Sequence, residues 1–396
     1  MKKILILTER WYPDTFGGSE RLALWQAQAL QKNGYDITVF STYYRKNLKR
    51  QERFQNIKII RAGSSFSFPG STLYSILFKS KKYLKQLLQK QTFDLVIIHH
   101  PLIGSIFFEQ NIKIPALYIF HSSRPMEISF EGLTKPCLNN FLSKKIITAF
   151  TARKEKTTLL TSDKILYLSN FSKKILAEKY PEIKNKLQAL APGIPKDMFS
   201  ANFNRDYSKN IFFTSRRLSP RTGVLNLIKA TKILKDKNIN FKVFLTGSGP
   251  LEKECHNLAA KLNIQDCLFF LGVISDQQLI KHYQTASCFV LPTLALEGVG
   301  ISTLEALFSA LPVIGTPIGA TKEILTPINK ELIMDSASPQ AIADKMLWFI
   351  NLDESTKKDL ARKSRAYAEN HFTAEIMNQE LTATVQLMLA TTKVKS

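Results

Sequence analysis

The sequence is poor in cysteine and lacks any long apolar run. The four cysteines among the 396 residues are Cys137, Cys255, Cys267 and Cys288. Because they are few and show no C-x-x-C spacing, they exclude a disulfide framework. Their number suits a reducing cytoplasm, in which we expect the thiols to be small core residues. Nowhere do 18 apolar residues follow one another without a charged one, which argues against a membrane-spanning helix. The first apolar run stops at Thr8, so it predicts a buried strand and not a signal peptide.

Metal-ligand spacing is also missing from the histidines, cysteines and carboxylates, which predicts a site without a metal. Acidic residues are the scarce charge, with 32 Asp and Glu against 55 Lys and Arg. The basic excess lies in residues 1–200, which hold 32 basic and 14 acidic residues, whereas residues 201–396 hold 23 and 18. Such asymmetry predicts an anionic membrane surface or nucleic acid as a partner of the first half. No nucleic-acid recognition motif is present, so we predict the membrane surface and no nucleic acid.

Short β-branched runs alternate with helical patterns along the chain. The first half predicts strands at 4–7, 37–40, 57–61, 95–99, 116–121 and 165–168, with helices at 19–32, 73–90 and 171–179. The second half predicts strands at 211–214, 243–245, 268–271, 288–291 and 313–315, with helices at 224–235, 251–262 and 276–285. This alternation predicts an α/β protein with two Rossmann-like, doubly wound parallel sheets.

Proline, glycine and polar residues gather at 191–207, where we place a hinge. We predict an N-terminal Rossmann-like domain over 1–190 and a C-terminal Rossmann-like domain over 191–372. Beyond Ser338 the pattern predicts three successive helices, and we expect the segment 373–396 to cross back to the first domain. Open α/β sheets bind ligands at the carboxyl ends of their strands, so we expect the two domains to face each other across a cleft.

The most informative segment is residues 292–306, where two carboxylates stand on either side of a glycine loop that opens a helix. Without Cβ atoms at Gly298 and Gly300, backbone N–H groups can approach a phosphate, and the helix N-terminus favours the negative charge. Glu297 and Glu305 can accept hydrogen bonds from neutral hydroxyls nearby. Phosphate donors beside hydroxyl acceptors indicate a sugar nucleotide. The alternative is a capping box, in which Glu305, three residues after Ser302, only satisfies a backbone N–H.

Four further segments lie at strand ends and join this one: YPDTFGGSER at 12–21, RRLSPRTG at 216–223, GSGP at 247–250 and GTPIGATKE at 315–323. In this order and spacing, the set resembles the retaining GT-B glycosyltransferases of family 4. The resemblance covers nearly the whole chain and is densest from Pro192 to Glu323. It implies the GT-B fold of two Rossmann-like domains facing across a cleft. The N-terminal domain, 1–190, would bind the acceptor, and the C-terminal domain, 191–372, would bind the nucleotide sugar.

The resemblance also implies roles for individual residues. Glu305 would bind the ribose hydroxyls and Glu297 a hydroxyl of the donor sugar. His121 matches the family histidine that contacts the sugar, and Arg217 would neutralise charge on the leaving diphosphate. The residues placed around sugar, diphosphate and base are Gly17, Gly18, Gly247, Gly272, Val273, Gly298, Val299, Gly300, Ile301 and Ser302.

Two residues depart from the family pattern around the second motif. Thr222 stands where the family has lysine, and we expect Arg221 to supply the missing cation. Arg216 stands where the family has a small residue.

Glu20 has an alternative interpretation as a first-turn carboxylate that complements the helix dipole. The GSGP segment resembles a dinucleotide fingerprint only weakly, because Glu252 occupies the third glycine position.

Two interpretations also remain for an amphipathic segment at 73–88. Its lysines and the preceding Phe66 and Phe68 suit a membrane interface, whereas Leu73, Leu77, Leu84 and Leu88 suit a helix packed on its own sheet. His99 and His100, at the end of a strand, are either ligand contacts or structural residues.

The resemblance as a whole implies a cytoplasmic, metal-independent, retaining hexosyltransferase, peripheral on the inner face of the cytoplasmic membrane. Its donor would be a nucleotide-diphosphate sugar, UDP- or GDP-linked in preference to ADP-linked, with no other cofactor. We predict a lipid-linked or oligosaccharide acceptor in cell-surface polysaccharide, lipopolysaccharide or glycolipid synthesis. The alternatives are a soluble glucan or disaccharide acceptor, a nicotinamide-dependent enzyme and a nucleic-acid-binding module.

Overall fold

The computed structural model describes residues 1–15, 17–42, 47–63, 75–131 and 141–393. The chain divides into two compact units. The first comprises Met1–Gly193 with Ala374–Ser396, and the second comprises Ile194–Thr373. Phe66, Phe68, Leu73 and Cys137 lie outside the described residues.

The first unit contains one sheet with the strand order β3-β4-β2-β1-β5-β6-β7-β8. The strands are β1 Lys3–Leu7, β2 Asp36–Thr42, β3 Gln51–Phe54, β4 Ile57–Ala62, β5 Leu95–Ile98, β6 Ala116–Phe120, β7 Lys164–Tyr167 and β8 Leu187–Ala189. All neighbours pair in parallel except β3, which runs antiparallel to β4 at the sheet edge. The predicted strands are confirmed, but β3 and β8 were not predicted.

Helices cover this sheet. Those predicted over 19–32 and 171–179 begin and end within one residue of the prediction, whereas in the described part of the segment predicted as a helix over 73–90 the α-helix begins only at Lys81. The helices are α1 Gly18–Lys32, α2 Lys81–Lys90, α3 Pro101–Phe108, α4 Arg124–Glu131, α5 Phe141–Thr161, α6 Asn170–Lys179 and α14 Ala374–Lys393. A π-helical turn, Ser75–Ser80, leads into α2. α14 packs on α1, and Asn33 Nδ2 donates a hydrogen bond to Asn378 Oδ1 at 2.7 Å.

The contacts of the amphipathic segment support the interpretation that its apolar face packs on its own sheet. Leu84 is fully buried, and Leu77, Leu87 and Leu88 pack against the core of the first unit. On the opposite side Phe78 is 62% exposed. None of the helices within the described ranges combines the length and apolarity needed to cross a membrane.

The second unit contains a parallel sheet with the strand order β11-β10-β9-β12-β13. The strands are β9 Ile211–Ser215, β10 Lys242–Thr246, β11 Leu268–Gly272, β12 Cys288–Leu291 and β13 Val313–Gly315. The helices are α7 Val224–Asp236, α8 Glu252–Lys261, α9 Asp276–Thr285, α10 Ile301–Phe308, α11 Thr321–Leu325, α12 Pro339–Asn351 and α13 Glu354–His371. Short 3₁₀ turns occur at Pro181–Lys186, Lys196–Met198, Pro220–Thr222 and Lys330–Leu332. Cys255, Cys267 and Cys288 are buried and unbonded, as predicted.

A buried arginine joins two helix ends below this sheet. The Arg205 guanidinium donates to the carbonyl oxygens of Tyr283 at 2.9 Å, Gln284 at 2.8 Å and Ser309 at 2.9 Å, at the C-termini of α9 and α10. Helix C-termini carry unpaired carbonyls and a partial negative charge, so this cation satisfies both. Burial lowers the pKa of Arg205 to about 10, which leaves it charged at neutral pH.

Candidate functional site

Each sheet reverses its strand order at one point, and the loops that follow the strands meet there. In the second unit this point lies between β9 and β12, which pair directly although two strands separate them in sequence. In the first unit it lies between β1 and β5. Open α/β sheets bind ligands at such switch points, on the carboxyl side of the strands.

In the second unit, the loop after β12 carries the two predicted carboxylates. α10 begins at Ile301, and its N-cap is Gly300 with φ 74°. A Cβ at Gly300 would lie 2.9 Å from Thr303 Oγ1 and 3.1 Å from Glu297 Oε1, so this close turn favours glycine. Gly298, Ile301 and Ser302 are partly exposed, whereas the Val299 side chain is buried.

The capping-box alternative for Glu305 is wrong. Ser302 is the second residue of the helix and not its N-cap, so Glu305 is not in the position to close a capping box. The buried Glu305 carboxylate instead accepts a hydrogen bond from the Tyr283 hydroxyl at 2.8 Å. Glu305 is therefore a buried carboxylate in the second turn of α10, and the Tyr283 hydroxyl orients it.

Glu297 is held by the loop after β9. Arg216 Nη2 donates to Glu297 Oε2 at 2.6 Å and to Thr293 Oγ1 at 2.9 Å, and the Thr293 hydroxyl donates to the same Oε2 at 2.6 Å. Burial alone would raise the pKa of Glu297, but Arg216, Thr293 and the more distant Arg221 outweigh it and hold that pKa below its ordinary value. Glu297 is thus ionised at neutral pH. The prediction treated Arg216 only as a departure and missed this contact.

The other loops at the switch point pack closely through their glycines. A Cβ at Gly223 would lie 1.7 Å from the Pro292 carbonyl oxygen, and one at Gly247 would lie 1.9 Å from the Arg216 carbonyl oxygen. Both glycines have positive φ, at 74° and 132°. Gly247 is therefore required for loop packing, whatever it contributes to a ligand. Gly272 ends β11 with nothing near its Cβ position, and Val273 beside it is exposed.

In the first unit, the loop after β1 is tied to the sheet by a buried ion pair. Arg61 on β4 donates to both oxygens of Asp14, at 2.5 and 2.8 Å, and to Glu52 Oε1 at 2.5 Å. A planar guanidinium that binds a carboxylate with two hydrogen bonds fixes the orientation of both groups. This network holds the segment that leads to Gly17 and Gly18, at the start of α1.

Glu20, in the first turn of α1, has the hydrogen bonds expected of a structural carboxylate at a helix start. Its carboxylate accepts hydrogen bonds from the Ser19 hydroxyl at 2.7 Å and the Thr15 hydroxyl at 3.3 Å. Gly17 is the N-cap, and a Cβ there would lie 2.1 Å from Glu20 Oε2. The Glu20 carboxylate thus folds back over the helix start and fills the space beside Gly17.

Three histidines lie at the ends of β5 and β6. His99 Nδ1 is 2.9 Å from His121 Nε2, and His100 Nδ1 accepts the Glu9 backbone N–H at 3.2 Å. Burial and the neighbouring His100 lower the pKa of His121 to about 3, and burial lowers that of His99 well below its usual range. The His99–His121 pair is therefore neutral at pH 7 and shares one hydrogen bond. No group of three or more side chains suited to hold a metal ion was found among the described residues.

Family models account for most of the chain. Residues 16–197 match the model described as Glycosyltransferase Family 4, and residues 195–370 match Glycosyl transferases group 1. The chain belongs to this glycosyltransferase family. The predicted family and its transferase class are confirmed.

Individual relatives of this glycosyltransferase are distant. It is 23% identical to the α-monoglucosyldiacylglycerol synthase of Streptococcus pneumoniae, over 79% of this chain and 70% of that protein. The first curated relatives are matched over 44% to 76% of their own lengths.

Solved structures show that the fold is GT-B, as predicted. The glycosyltransferase is similar to sucrose-phosphate synthase from Thermosynechococcus elongatus, with a TM-score of 0.84, 17% identity and coverage of 99% and 100% of the two chains. It is also similar to Anabaena HepE in complex with UDP-glucose, with a TM-score of 0.73, 16% identity and coverage of 98% and 100%.

The departures from the glycosyltransferase pattern have structural reasons. Thr222, in place of lysine, is buried and donates its hydroxyl to the Arg217 carbonyl oxygen at 2.7 Å, so it stabilises its own turn. Arg221 Nη1 lies 3.4 Å from the Leu296 carbonyl oxygen, next to Glu297. Arg217 is exposed. Two arginines therefore flank the turn from which the lysine is missing.

Proposed function

We propose that this glycosyltransferase moves a hexose from a nucleotide-diphosphate sugar to a hydroxyl acceptor, with retention of anomeric configuration. The observation that carries the proposal is the pair of buried carboxylates, Glu297 and Glu305, on either side of the loop that opens α10. Carboxylate oxygens accept several hydrogen bonds each, so this pair suits the hydroxyls of a sugar and of a ribose. The N-terminus of α10 between them suits the diphosphate.

Each of the predicted residues has a role in this proposal. Glu305 accepts the ribose hydroxyls, and Glu297 accepts a hydroxyl of the transferred sugar. Arg217 and Arg221 neutralise charge on the departing diphosphate, which is where stabilisation of the transition state accelerates glycosyl transfer most. His121 is a neutral hydrogen-bonding group for the sugar, consistent with its low pKa.

The remaining predicted contacts come from backbone groups. Amides of residues 298–302 and of Gly17 and Gly18 hold sugar and diphosphate, while Gly247, Gly272 and Val273 line the phosphate and base. Positioning and electrostatic stabilisation of the leaving group carry the rate in this proposal, without a covalent nucleophile and without a metal ion.

The proposed acceptor is lipid-linked or a growing surface glycan, in cell-surface polysaccharide, lipopolysaccharide or glycolipid biosynthesis. A synthase of a glycosylated diacylglycerol among the relatives supports a lipid acceptor. We propose a cytoplasmic protein that binds the inner face of the membrane through its first unit. A soluble glucan or disaccharide acceptor is the competing proposal.

A donor panel tests the proposed activity. The full chain is screened by thermal shift against UDP-, GDP- and ADP-sugars, and release of nucleoside diphosphate is then measured with the best ligand. We expect a UDP- or GDP-sugar to stabilise the protein by about 2.7 kcal/mol at a hundredfold excess over its dissociation constant. Free hexose, a nicotinamide dinucleotide and an oligonucleotide serve as controls. Stabilisation by a control alone, without diphosphate release from any nucleotide sugar, would contradict the proposal.

A further inference from the structure

The contact between Arg216 and Glu297 is the least expected feature of the second unit. The two side chains are 81 positions apart in sequence and only 7% and 6% exposed. At position 216 the family pattern has a small residue, which cannot make an ion pair. The contact therefore belongs to this chain and to relatives that share the arginine.

The ion pair with Arg216 involves only one oxygen of the Glu297 carboxylate, Oε2. Oε2 receives hydrogen bonds from Arg216 and Thr293, both at 2.6 Å. Within the described residues, no group donates to Oε1. Arg216 Nε is buried and likewise has no partner among the described residues, so the Nη2 contacts are what anchor the guanidinium.

We propose that Arg216 is a positioning residue for glycosyl transfer: it fixes the ionised Glu297 so that Oε1 alone meets one hydroxyl of the donor sugar. This inference rests on the proposed role of Glu297. A carboxylate that is free to rotate can present either oxygen, whereas one fixed at Oε2 presents a single acceptor in one place. Such preorganisation favours the transition state, because the site does not rearrange during the reaction.

The surroundings of Glu297 predict how removal of the guanidinium would act. Two charged side chains lower the pKa of Glu297: Arg216 in the loop after β9 and Arg221 in the adjacent turn. The loop after β13 presents backbone: the Ala320 N–H donates to the Glu297 carbonyl oxygen at 2.9 Å, and Gly319 lies against its Cβ. α10 presents Thr303. Burial raises the pKa of Glu297, and without Arg216 only Arg221 and Thr293 counteract that effect. We therefore expect the pKa of Glu297 to rise when Arg216 is removed.

The test compares Arg216→Ala, Arg216→Lys and the surface control Lys229→Ala. Donor-dependent kcat and KM are measured across pH 5 to 9, after thermal unfolding has shown that each variant folds. We expect Arg216→Ala to lower kcat by about 10²-fold at low pH and less at high pH, because protonation of Glu297 is then part of the loss. The acid limb of the kcat profile moves to higher pH. Arg216→Lys restores the position of that limb, and Lys229→Ala follows the wild type.

Glu297→Gln separates failure of this inference from failure of the proposed function. If Glu297→Gln keeps full transfer activity, the role of Glu297 is wrong, and the inference falls with it. If Glu297→Gln loses activity while Arg216→Ala keeps the wild-type pH profile, only the inference is overturned.

In the Glu297→Gln background, Arg216→Ala should cause little additional loss of kcat. A full additional loss would show that Arg216 acts independently of Glu297. If Arg216→Ala does not fold, Arg216→Gln replaces it in the same comparison.

Discussion

Buried carboxylates are costly unless they accept hydrogen bonds, and the buried Glu305 carboxylate accepts one from the Tyr283 hydroxyl at 2.8 Å. Glu305 lies in the second turn of α10, one turn beyond the N-terminus at which the helix dipole favours anions. A tyrosine that donates to one oxygen also orients the carboxylate. A carboxylate oriented in this way suits the proposed contact with the ribose hydroxyls.

We expect Glu305→Ala to weaken donor binding without an equal loss of turnover. Two charge-assisted hydrogen bonds to ribose are worth about 1.5–3 kcal/mol each, so KM for the donor should rise by at least about tenfold. Steady-state kinetics with the donor found in the panel provide the measurement. Glu331→Ala, which removes an exposed glutamate of the same unit, is the control. An unchanged KM would remove Glu305 from the donor site.

At the scale of single residues, the sequence predicted groups that carry their own chemical signature. Glu297 and Glu305 were found because glycines and a helix start surround them. Arg216 was not paired with Glu297, because that contact depends on β9 and β12 being neighbours. The hydrogen bond between His99 and His121 was missed for the same reason, since it joins the ends of two parallel strands.

Helices and strands with a clear period were predicted, and the ambiguous ones were not. β3 has a polar, partly exposed sequence at a sheet edge, and β8 has only three residues. α3 is apolar on all sides, so periodicity cannot distinguish it from a buried strand. α5 shows little amphipathic pattern along its 21 residues. Their identity as elements follows from packing on neighbours that are distant in sequence.

The two helices joined by Arg205 provide a test of stability. We expect Arg205→Met to lower the free energy of unfolding by at least about 3 kcal/mol, because several buried carbonyls lose their donor. Chemical denaturation followed by circular dichroism measures the loss. Arg362→Met, at an exposed position of α13, should change stability little. Equal stability of the two variants would show that water replaces the guanidinium without cost.

On the scale of the whole molecule, the charge asymmetry has a structural location in the first unit. Glu109, just beyond α3, accepts from Lys81 at 2.7 Å and from Lys154 at 2.5 Å, which links the basic helices α2 and α5. Exposed lysines on α2 include Lys82 and Lys85. Ile146 on α5 is 59% exposed. Lysines beside exposed apolar side chains suit an anionic membrane surface.

We expect the protein to sediment with anionic vesicles at low salt and to be released at high salt. Each lysine near the surface contributes about 1 kcal/mol, so Lys82→Glu with Lys85→Glu should reduce partitioning by at least about tenfold. A matched charge change on the second unit, Lys229→Glu with Lys253→Glu, should have little effect. Equal binding of both variants, or no binding, would favour a soluble acceptor.

The packing of α14 on α1 has a consequence for biosynthesis. α1 leaves the ribosome before the second unit, whereas α14 is made only after the whole second unit. The nascent first unit therefore exposes the α1 surface that α14 later covers, while the second unit can complete its own sheet. Newly made chains thus complete their first unit last, and the face of α1 that α14 covers stays exposed to solvent during that interval.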